Sequence, residues 1–184
     1  LHLDNPRIRA TDAHPMLSIL ALDLETDGFT GPLLSAAIAT DRHERVFVRG
    51  EGRDRGVLTF VQDERALLSA LCAEIVALDP DVLCGWNVVE FDLTVLEARC
   101  RAHRLPLLLG RAGERAHVVV GSGHRGLSRA RVPGRIVLDG IAVLKSATWS
   151  FERFTLGHVA QELLGRGKKI AQTADPLAEI RRMY

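Results

Sequence analysis

The stretch Leu17-Ser-Ile-Leu-Ala-Leu-Asp-Leu-Glu-Thr26 decides the fold, because it joins an apolar run directly to two acids. Residues Leu17 to Asp23 are apolar enough for a central β-strand. Side chains alternate across a strand, so Asp23 and Glu25 project from the same face where this strand ends. Two carboxylates held side by side repel each other, and each tends to keep its proton unless a cation neutralises the pair. The sequence therefore predicts two converging acids at the end of a buried strand.

Two more strands follow, at Leu33 to Thr40 and at Arg45 to Arg49, and Gly, Pro and Asp residues supply the turns between them. This spacing predicts an antiparallel meander. Beyond it, Asp63 caps a helix whose leucines and isoleucine recur at helical spacing until Asp79-Pro80 ends it.

Strands and helices alternate in the second half of the chain. The pattern predicts a short buried strand at Asp81 to Cys84, a helix from about Phe91 to His103, another buried strand at Ile136 to Asp139, and a helix that Thr155 caps and Gly165 stops. Three strands followed by this alternation predict an α/β fold, a mixed sheet flanked by helices.

Length and composition agree with one folded domain. The chain has 184 residues, of which 47% are hydrophobic and 26% charged, an ordinary balance for a folded protein. Residues 1–15 carry two prolines and no periodic pattern, so we expect an N-terminal arm or linker there and the domain at 16–184. No apolar run approaches the roughly 20 residues of a membrane span, and the start lacks the pattern of a secretory signal. We expect a cytoplasmic protein that does not bind membranes.

A third acid lies in the segment Asn87-Val-Val-Glu-Phe-Asp92, which follows the predicted strand and puts Asp92 in the first turn of the next helix. An acid in that place is also favoured by the helix dipole alone. Taken alone, Asp23 and Glu25 are about as well explained as one surface acid and one helix-capping acid as they are by a metal site. Hard divalent cations take carboxylate ligands of this kind, so the three acids together favour a cation site.

The two acidic segments resemble, in sequence and in order, the motifs of the proofreading exonuclease domains of family B DNA polymerases. The first motif of that family is Asp-x-Glu-Thr, and the second is Asn, two or three residues, Phe or Tyr, then Asp. Further stretches are similar to the bacterial DNA polymerase II branch: Asp79-Pro-Asp-Val-Leu-Cys-Gly-Trp-Asn-Val-Val-Glu-Phe-Asp92, Arg104-Leu-Pro-Leu107, Asp139-Gly-Ile-Ala-Val-Leu-Lys-Ser-Ala147 and Val159-Ala-Gln-Glu-Leu-Leu-Gly165.

The resemblance implies a ribonuclease H-like fold and a 3′→5′ exonuclease that hydrolyses the 3′-terminal phosphodiester of single-stranded DNA. It implies that Asp23, Glu25 and Asp92 are catalytic and bind two Mg²⁺ or Mn²⁺ ions. It also implies partners: a primer 3′ end, the polymerase domain of the same longer chain, and a sliding clamp bound through the full-length protein. The implied location is the bacterial cytoplasm, in association with the nucleoid.

Three residues are carried over from the family as nucleic-acid-binding positions. By the resemblance, Thr26 and Asn87 hydrogen-bond the 3′-terminal nucleotides and Phe91 packs against a base. Unpaired bases expose faces for aromatic stacking worth about 1–3 kcal/mol each, which favours a single strand. For Phe91, a place in the core beneath the helix is almost as well supported.

The third motif of the family, Tyr-x-x-x-Asp, is not found, since the one tyrosine in the sequence is Tyr184. We expect this motif just past Tyr184, in a longer polypeptide from which the chain was cut. On that expectation the 184 residues fold, bind metal weakly and have little or no nuclease activity. Asp139, which ends a predicted strand, is interpreted as structural.

Other functions stay open on the sequence alone. A catalytically silent domain that grips a primer or serves as a scaffold is the non-enzymatic alternative, and a ribonuclease of the same superfamily is the enzymatic one. A phosphatase with an aspartyl nucleophile would need a second Asp where Glu25 stands.

Three further stretches of the sequence have two interpretations each. The Arg-rich stretch from Arg111 to Arg135 either binds phosphates or is merely solvated. Trp149, Phe151 and Phe154 are interpreted as core residues rather than as a base-stacking platform. Gly121 to Gly126 spells a dinucleotide-binding fingerprint, but Pro133-Gly134 follows too soon for the helix that this motif must open.

Overall fold

A computed structural model describes residues 4–7, 9–28, 31–121 and 128–166 of the chain. Within these ranges, six strands form one mixed sheet and a short hairpin forms a second. The strands are β1 (Ile19–Thr26), β2 (Leu33–Ala39), β3 (Glu44–Arg49), β4 (Leu58–Val61), β5 (Val82–Gly85), β6 (His117–Val119), β7 (Arg129–Arg131) and β8 (Ile136–Asp139). The helices are α1 (Glu64–Leu78), α2 (Thr94–Ala102), α3 (Gly140–Ser146) and α4 (Leu156–Leu164), with a π-helical turn at Val89–Leu93 and a 3-10 turn at Arg111–Gly113.

The main sheet has the order β4-β3-β2-β1-β5-β8. Strands β1, β2 and β3 pair antiparallel, as the meander predicts, whereas β5 and β8 run parallel to β1. The predicted mixed sheet flanked by helices is confirmed. Because β1, β5 and β8 share one direction, their carboxyl ends meet at one edge of the sheet.

Helix α1 begins where the sequence predicts. Asp63 is its N-cap, and the side chain of Asp63 accepts a hydrogen bond of 2.8 Å from the backbone N–H of Ala66. Asp79 ends the helix in a left-handed conformation with φ of 44°. Leu20, Leu22 and Leu24 of β1 are buried together with α1 and α2 residues in a single core. The central members contributed by the two helices are Leu67, Leu68, Leu71, Ile75, Leu96 and Cys100.

Several boundaries differ from the predicted ones. β1 begins at Ile19 and continues to Thr26, so both acids of the first motif lie inside the strand rather than after it. β4 and α3 were not predicted. The expectation that β8 is buried is wrong, because β8 is the last strand of the main sheet and leaves Ile136 and Leu138 exposed. The single helix expected from Phe91 divides into the π-helical turn and α2. Thr155 does occupy the N-cap of α4, but its side chain makes no capping hydrogen bond.

Candidate active site

Strand β5 ends unusually close to β1. Gly85 closes β5, and a Cβ atom on Gly85 would lie 2.6 Å from the carbonyl oxygen of Leu22 and 3.0 Å from Cβ of Val88. Only glycine permits so close an approach of two backbones. The chain turns directly after Gly85 and enters the segment that carries the third predicted acid.

The first two predicted acids share one face of β1. Asp23 is exposed and Glu25 is partly exposed, while the alternating residues Leu22, Leu24 and Thr26 are buried. The pairing of β1 with β2 shifts register between Glu25 and Thr26, which marks a β-bulge. Bulges re-aim side chains at the ends of strands. The alternation predicted from the sequence is therefore confirmed, with a local irregularity where the strand leaves the sheet.

The third acid lies in a wider helical turn. Asn87 adopts φ of 61°, a left-handed conformation that Asn tolerates better than most residues. In the following turn, the N–H of Leu93 donates to the carbonyl of Val88 at 2.8 Å, an i to i−5 bond. The hydroxyl of Thr94 donates to the carbonyl of Val89 at 2.8 Å and so satisfies an acceptor that the wide turn frees. Turns of this kind occur frequently at functional sites.

Asp92 is buried, with 1% of its surface exposed, and it lies beside β1. Its Oδ1 atom has no hydrogen-bond partner among the described residues. Burial and the negative charge of Asp23 raise the pKa of Asp92 to about 7, against the opposing effect of the backbone N–H groups of Asp92 and Leu24. Asp139 adds a smaller repulsion. Asp23 and Asp92 therefore lie within electrostatic reach of each other at the carboxyl edge of the sheet.

Asp139 also lies at this edge, but both of its oxygens are engaged. Oδ1 accepts hydrogen bonds from the N–H groups of Ile141 and Ala142 and so caps α3. Oδ2 accepts from the N–H of Val89 at 3.1 Å, which fixes the start of the π-helical turn. These bonds agree with the structural role expected for Asp139 from the sequence.

The three residues carried over as nucleic-acid contacts lie around the same edge. Thr26 is buried, and its hydroxyl donates to the carbonyl of Gly28 at 2.6 Å. Asn87 is partly exposed in the turn after β5. Phe91 is partly buried and packs against the hydrophobic core, so the core alternative for its ring has support.

The chemistry of the acids suits a divalent cation, but their side chains do not form a complete set of metal ligands among the described residues. A buried carboxylate oxygen without a hydrogen-bond partner, next to a second negative charge, is an arrangement that a divalent cation would satisfy. Among the residues described, no group of three or more His, Cys, Asp or Glu side chains is already arranged to hold a metal ion. The structure thus brings Asp23 and Asp92 together, with Glu25 on the same strand face as Asp23.

The Arg-rich stretch divides into two parts. Arg111 binds Asp79 and Asp81 at 2.9 and 2.8 Å, and Arg135 binds Asp79 at 2.8 Å. These bonds lie at the amino ends of β5 and β8, so the two arginines stabilise the fold there. They are opposite the carboxyl edge of the sheet that carries Asp23, Glu25 and Asp92, which we call the acidic edge. On β7, Arg129 and Arg131 are exposed, and Arg125 lies outside the described residues together with most of the Gly121–Gly126 motif.

The hairpin of β6 and β7 lies next to the π-helical turn. The hydroxyl of Ser128, which precedes β7, donates to Oε1 of Glu90 at 3.0 Å and accepts from the N–H of Gly121 at 3.1 Å. The exposed arginines of β7 are thus carried on a hairpin that is hydrogen-bonded to the segment bearing Asp92.

The expected core packing of the aromatic residues before α4 is wrong for Trp149. Its side chain is 50% exposed and stacks on Phe151 with ring centroids 5.9 Å apart. Phe151 meets Phe154 edge to face, and the ammonium of Lys145 lies over the Phe154 ring. The backbone carbonyl of Phe154 accepts a hydrogen bond from the indole of Trp86. The aromatic residues therefore form a surface cluster joined to the turn after β5.

Sequence reasoning missed Glu64, which lies at the start of α1 and is almost fully buried. Its carboxylate binds Arg99, His103 and the backbone of β2. The signal was present in the helical spacing, because Glu64 is in phase with the buried Leu67, Leu68 and Leu71. An acid within an apolar stripe predicts a buried ionic contact.

Comparison with known proteins places this chain among the exonuclease domains of DNA polymerases. The family described as DNA polymerase family B, exonuclease domain, matches residues 2–156. The chain belongs to that family.

Individual relatives agree. DNA polymerase II of Escherichia coli is 38% identical over 178 residues, which are 94% of the chain and 23% of the relative. A DNA polymerase of Thermococcus sp. strain 9oN-7 is 28% identical over 83% of the chain and 20% of its own length. The family B DNA polymerase of Pyrobaculum calidifontis superimposes with a TM-score of 0.63 at 26% identity, over 82% of the chain and 18% of that structure. The chain thus spans about a fifth to a quarter of these relatives.

In the part of the chain that the structure describes, no helix is both long and apolar enough to cross a membrane.

Proposed function

We propose that the chain is the domain of a DNA polymerase that removes nucleotides from a primer in the 3′→5′ direction. The observation that supports this best is the pairing of buried Asp92 with Asp23 at the carboxyl edge of the sheet, in a chain of the family B exonuclease family. The substrate is the 3′ end of single-stranded DNA. Each turnover gives a nucleoside 5′-monophosphate and a strand one nucleotide shorter.

Asp23, Glu25 and Asp92 are the proposed ligands of two divalent cations, Mg²⁺ or Mn²⁺. When bound, such cations supply an activated water and stabilise the oxygen that leaves. In the reaction, an oxygen of water bonds to the terminal phosphorus, the bond from phosphorus to the 3′ oxygen of the preceding nucleotide breaks, and that 3′ oxygen takes a proton. Without a cation, Asp92 with its pKa of about 7 holds a proton on a large share of molecules at neutral pH.

Thr26, Asn87 and Phe91 are proposed to bind the 3′-terminal nucleotides. Asn87 is suited to this role because it is partly exposed in the turn that follows β5, at the acidic edge. Phe91 contributes through whatever part of its ring the core leaves exposed. A single strand is favoured because a paired 3′ end must first melt before its bases reach these residues.

The test is a 5′-labelled DNA 20-mer incubated with a longer polypeptide that contains this chain, with Mg²⁺ or Mn²⁺. We expect a ladder that shortens from the 3′ end, a faster reaction on a mismatched than on a matched duplex end, and little cleavage of RNA. Asp92→Asn should lower the rate by about 10³-fold or more.

The matched control is Glu97→Gln on α2, the same kind of neutralising change at an acid that pairs only loosely with Arg101, at 3.8 Å. It should keep the wild-type rate. No shortening by the wild-type protein would favour the silent domain, and equal cleavage of RNA would favour a ribonuclease.

The whole protein is proposed to hold this domain, at residues 16–184 after an arm at 1–15, beside a polymerase domain and to contact a sliding clamp through its other parts. The relatives that the chain matches are named DNA polymerases, which supports the polymerase domain. The clamp contact would be tested by asking whether the full-length protein and the clamp purify together, and whether adding the clamp increases binding of the full-length protein to primed DNA.

A further inference from the structure

Glu64 is a charged group in an apolar environment. Only 5% of its surface is exposed, and it lies among the core residues of α1. Burial alone would raise its pKa, but hydrogen bonds from Arg99, the N–H of Leu33 and His103 outweigh burial and lower the pKa to about 2. The side chain is therefore ionised at neutral pH.

Four hydrogen bonds converge on this carboxylate. Oε1 accepts from the N–H of Leu33 at 2.8 Å and from Nε of Arg99 at 2.7 Å. Oε2 accepts from Nη2 of Arg99 at 2.6 Å and lies 2.7 Å from Nε2 of His103. The guanidinium thus binds both oxygens in the parallel geometry that makes such pairs strong and directional.

The bond to Leu33 connects Glu64 to the end of β1, which carries Asp23 and Glu25. Leu33 opens β2 and is the register partner of Thr26, which directly follows Glu25 and the bulge. The turn between them is closed by the N–H of Asp27, which donates to the carbonyl of Pro32 at 3.0 Å. A carboxylate that holds Leu33 therefore holds the end of β1 on which Asp23 and Glu25 stand.

The bonds to Arg99 and His103 connect Glu64 to α2 and so to the turn that carries Asp92. Both residues belong to α2 or its C-terminal end, and α2 continues without a break from the π-helical turn that contains Asp92. The side chain of Arg65 also donates to the backbone carbonyl of His103. Glu64 is 31 residues from Leu33 and 35 from Arg99, so these contacts join distant parts of the chain.

We propose that Glu64 is a positioning residue of the exonuclease site, which sets the distance between Asp92 and the Asp23–Glu25 strand end by holding both segments on one carboxylate. This rests on the function proposed above. A buried ion pair is often no more stabilising than apolar residues of the same volume, so stability alone gives little reason for one here. Fixed geometry does give a reason, because a displacement of about 1 Å in a catalytic group can cost about 100-fold in rate.

The test compares Glu64→Gln with Ile75→Val, a core change at the far end of α1 that weakens packing without touching either segment. Hydrogen exchange is followed in the 184-residue chain without metal. We expect Glu64→Gln to speed exchange both around Thr26 and Leu33 and in the π-helical turn, and Ile75→Val to change neither selectively. Binding of Mn²⁺, followed by electron paramagnetic resonance, should weaken about 10-fold in Glu64→Gln alone.

In the longer polypeptide, well below the melting temperature of the variant, kcat on single-stranded DNA should fall about 10- to 100-fold for Glu64→Gln with KM unchanged. A lower melting temperature with wild-type exchange at both segments and wild-type Mn²⁺ affinity would overturn the proposal. If Glu64→Gln does not fold, Arg99→Lys keeps the charge, loses the paired bonds, and should give the same pattern. A longer polypeptide that neither binds Mn²⁺ nor shortens single-stranded DNA would defeat the proposed function, while the exchange measurement would still decide whether Glu64 holds the two segments.

Discussion

Asp92 and Glu64 are both buried carboxyls of this domain, and their surroundings give them opposite properties. Glu64 receives four hydrogen bonds, two of them from an arginine, and its pKa falls to about 2. Asp92 has an oxygen without a partner among the described residues, faces the negative charge of Asp23, and its pKa rises to about 7. Burial is similar in the two cases, so the partners decide whether an acid stabilises the fold or is kept available for a ligand.

The largest effect on stability is expected from removing the satisfied acid. Glu64→Ala leaves Arg99 without its partner, and we expect the free energy of unfolding to fall by about 3–5 kcal/mol. Urea denaturation at pH 7 would measure this, with Glu97→Ala on α2 as the control for loss of an acid. A loss no greater than that of the control would show that the four bonds contribute nothing net.

The pH dependence of stability provides a second test of Glu64. Because the pKa of Glu64 is lowered from 4.5 to about 2, its contribution is fully present above pH 4.5 and is lost as the pH falls toward 2. The shift corresponds to about 3 kcal/mol. The difference in unfolding free energy between wild type and Glu64→Gln should therefore shrink as the pH falls through this window. A difference that persists at pH 2 would contradict the assigned pKa.

Removing the charge of Asp92 should increase the free energy of unfolding, whereas removing that of Glu64 should decrease it. The raised pKa of Asp92 means that wild-type stability falls as the pH rises from about 4 to about 7, since the folded state gives up its proton less readily than the unfolded state. Without divalent cations, Asp92→Asn should be more stable than wild type at pH 8 by about 1–3 kcal/mol.

Thermal unfolding at pH 5 and pH 8, with and without Mn²⁺, would test this. The advantage of Asp92→Asn should be smaller at pH 5, and Mn²⁺ should stabilise the wild type but not the variant. An Asn variant that is less stable than wild type at pH 8 would mean that the buried carboxylate is satisfied after all.

The smallest effect is expected from a change of geometry at constant charge. Arg99→Lys keeps a cation beside Glu64 but replaces two parallel bonds by a single point contact, and we expect a loss of about 1 kcal/mol. Comparison with Arg101→Lys, a mostly exposed arginine on the same helix, would isolate the paired bonds. Equal losses for both variants would indicate that charge alone matters at Glu64.

The sequence predicted those parts of the molecule that local patterns determine. Asp63 caps α1, β8 has its predicted limits, and Asp23 and Glu25 share a strand face because alternation and capping involve only neighbouring residues. The family resemblance, carried by short motifs, was confirmed over most of the chain.

Features that depend on distant partners were not predicted. The π-helical turn is supported by Asp139, 50 residues from Val89, and Glu64 meets groups 31 to 39 residues away. Arg111 and Arg135 were grouped as one basic stretch, although the fold brings both to Asp79. Trp149 has the apolarity of a core residue and still lies at the surface, because burial is decided by which elements cover a side chain and not by its type.

The π-helical turn also makes the domain sensitive to chain length at one point. Each residue of a helix turns the following ones by about 100°, so deleting one residue between Asn87 and Asp92 would swing Asp92 away from β1 although Asp92 itself is unchanged. The connection between β3 and β4, which is exposed along most of its length, should accept an inserted residue at little cost. Insertions and deletions therefore probe this domain in a way that substitutions do not, since they separate the places where spacing matters from those where only residue type does.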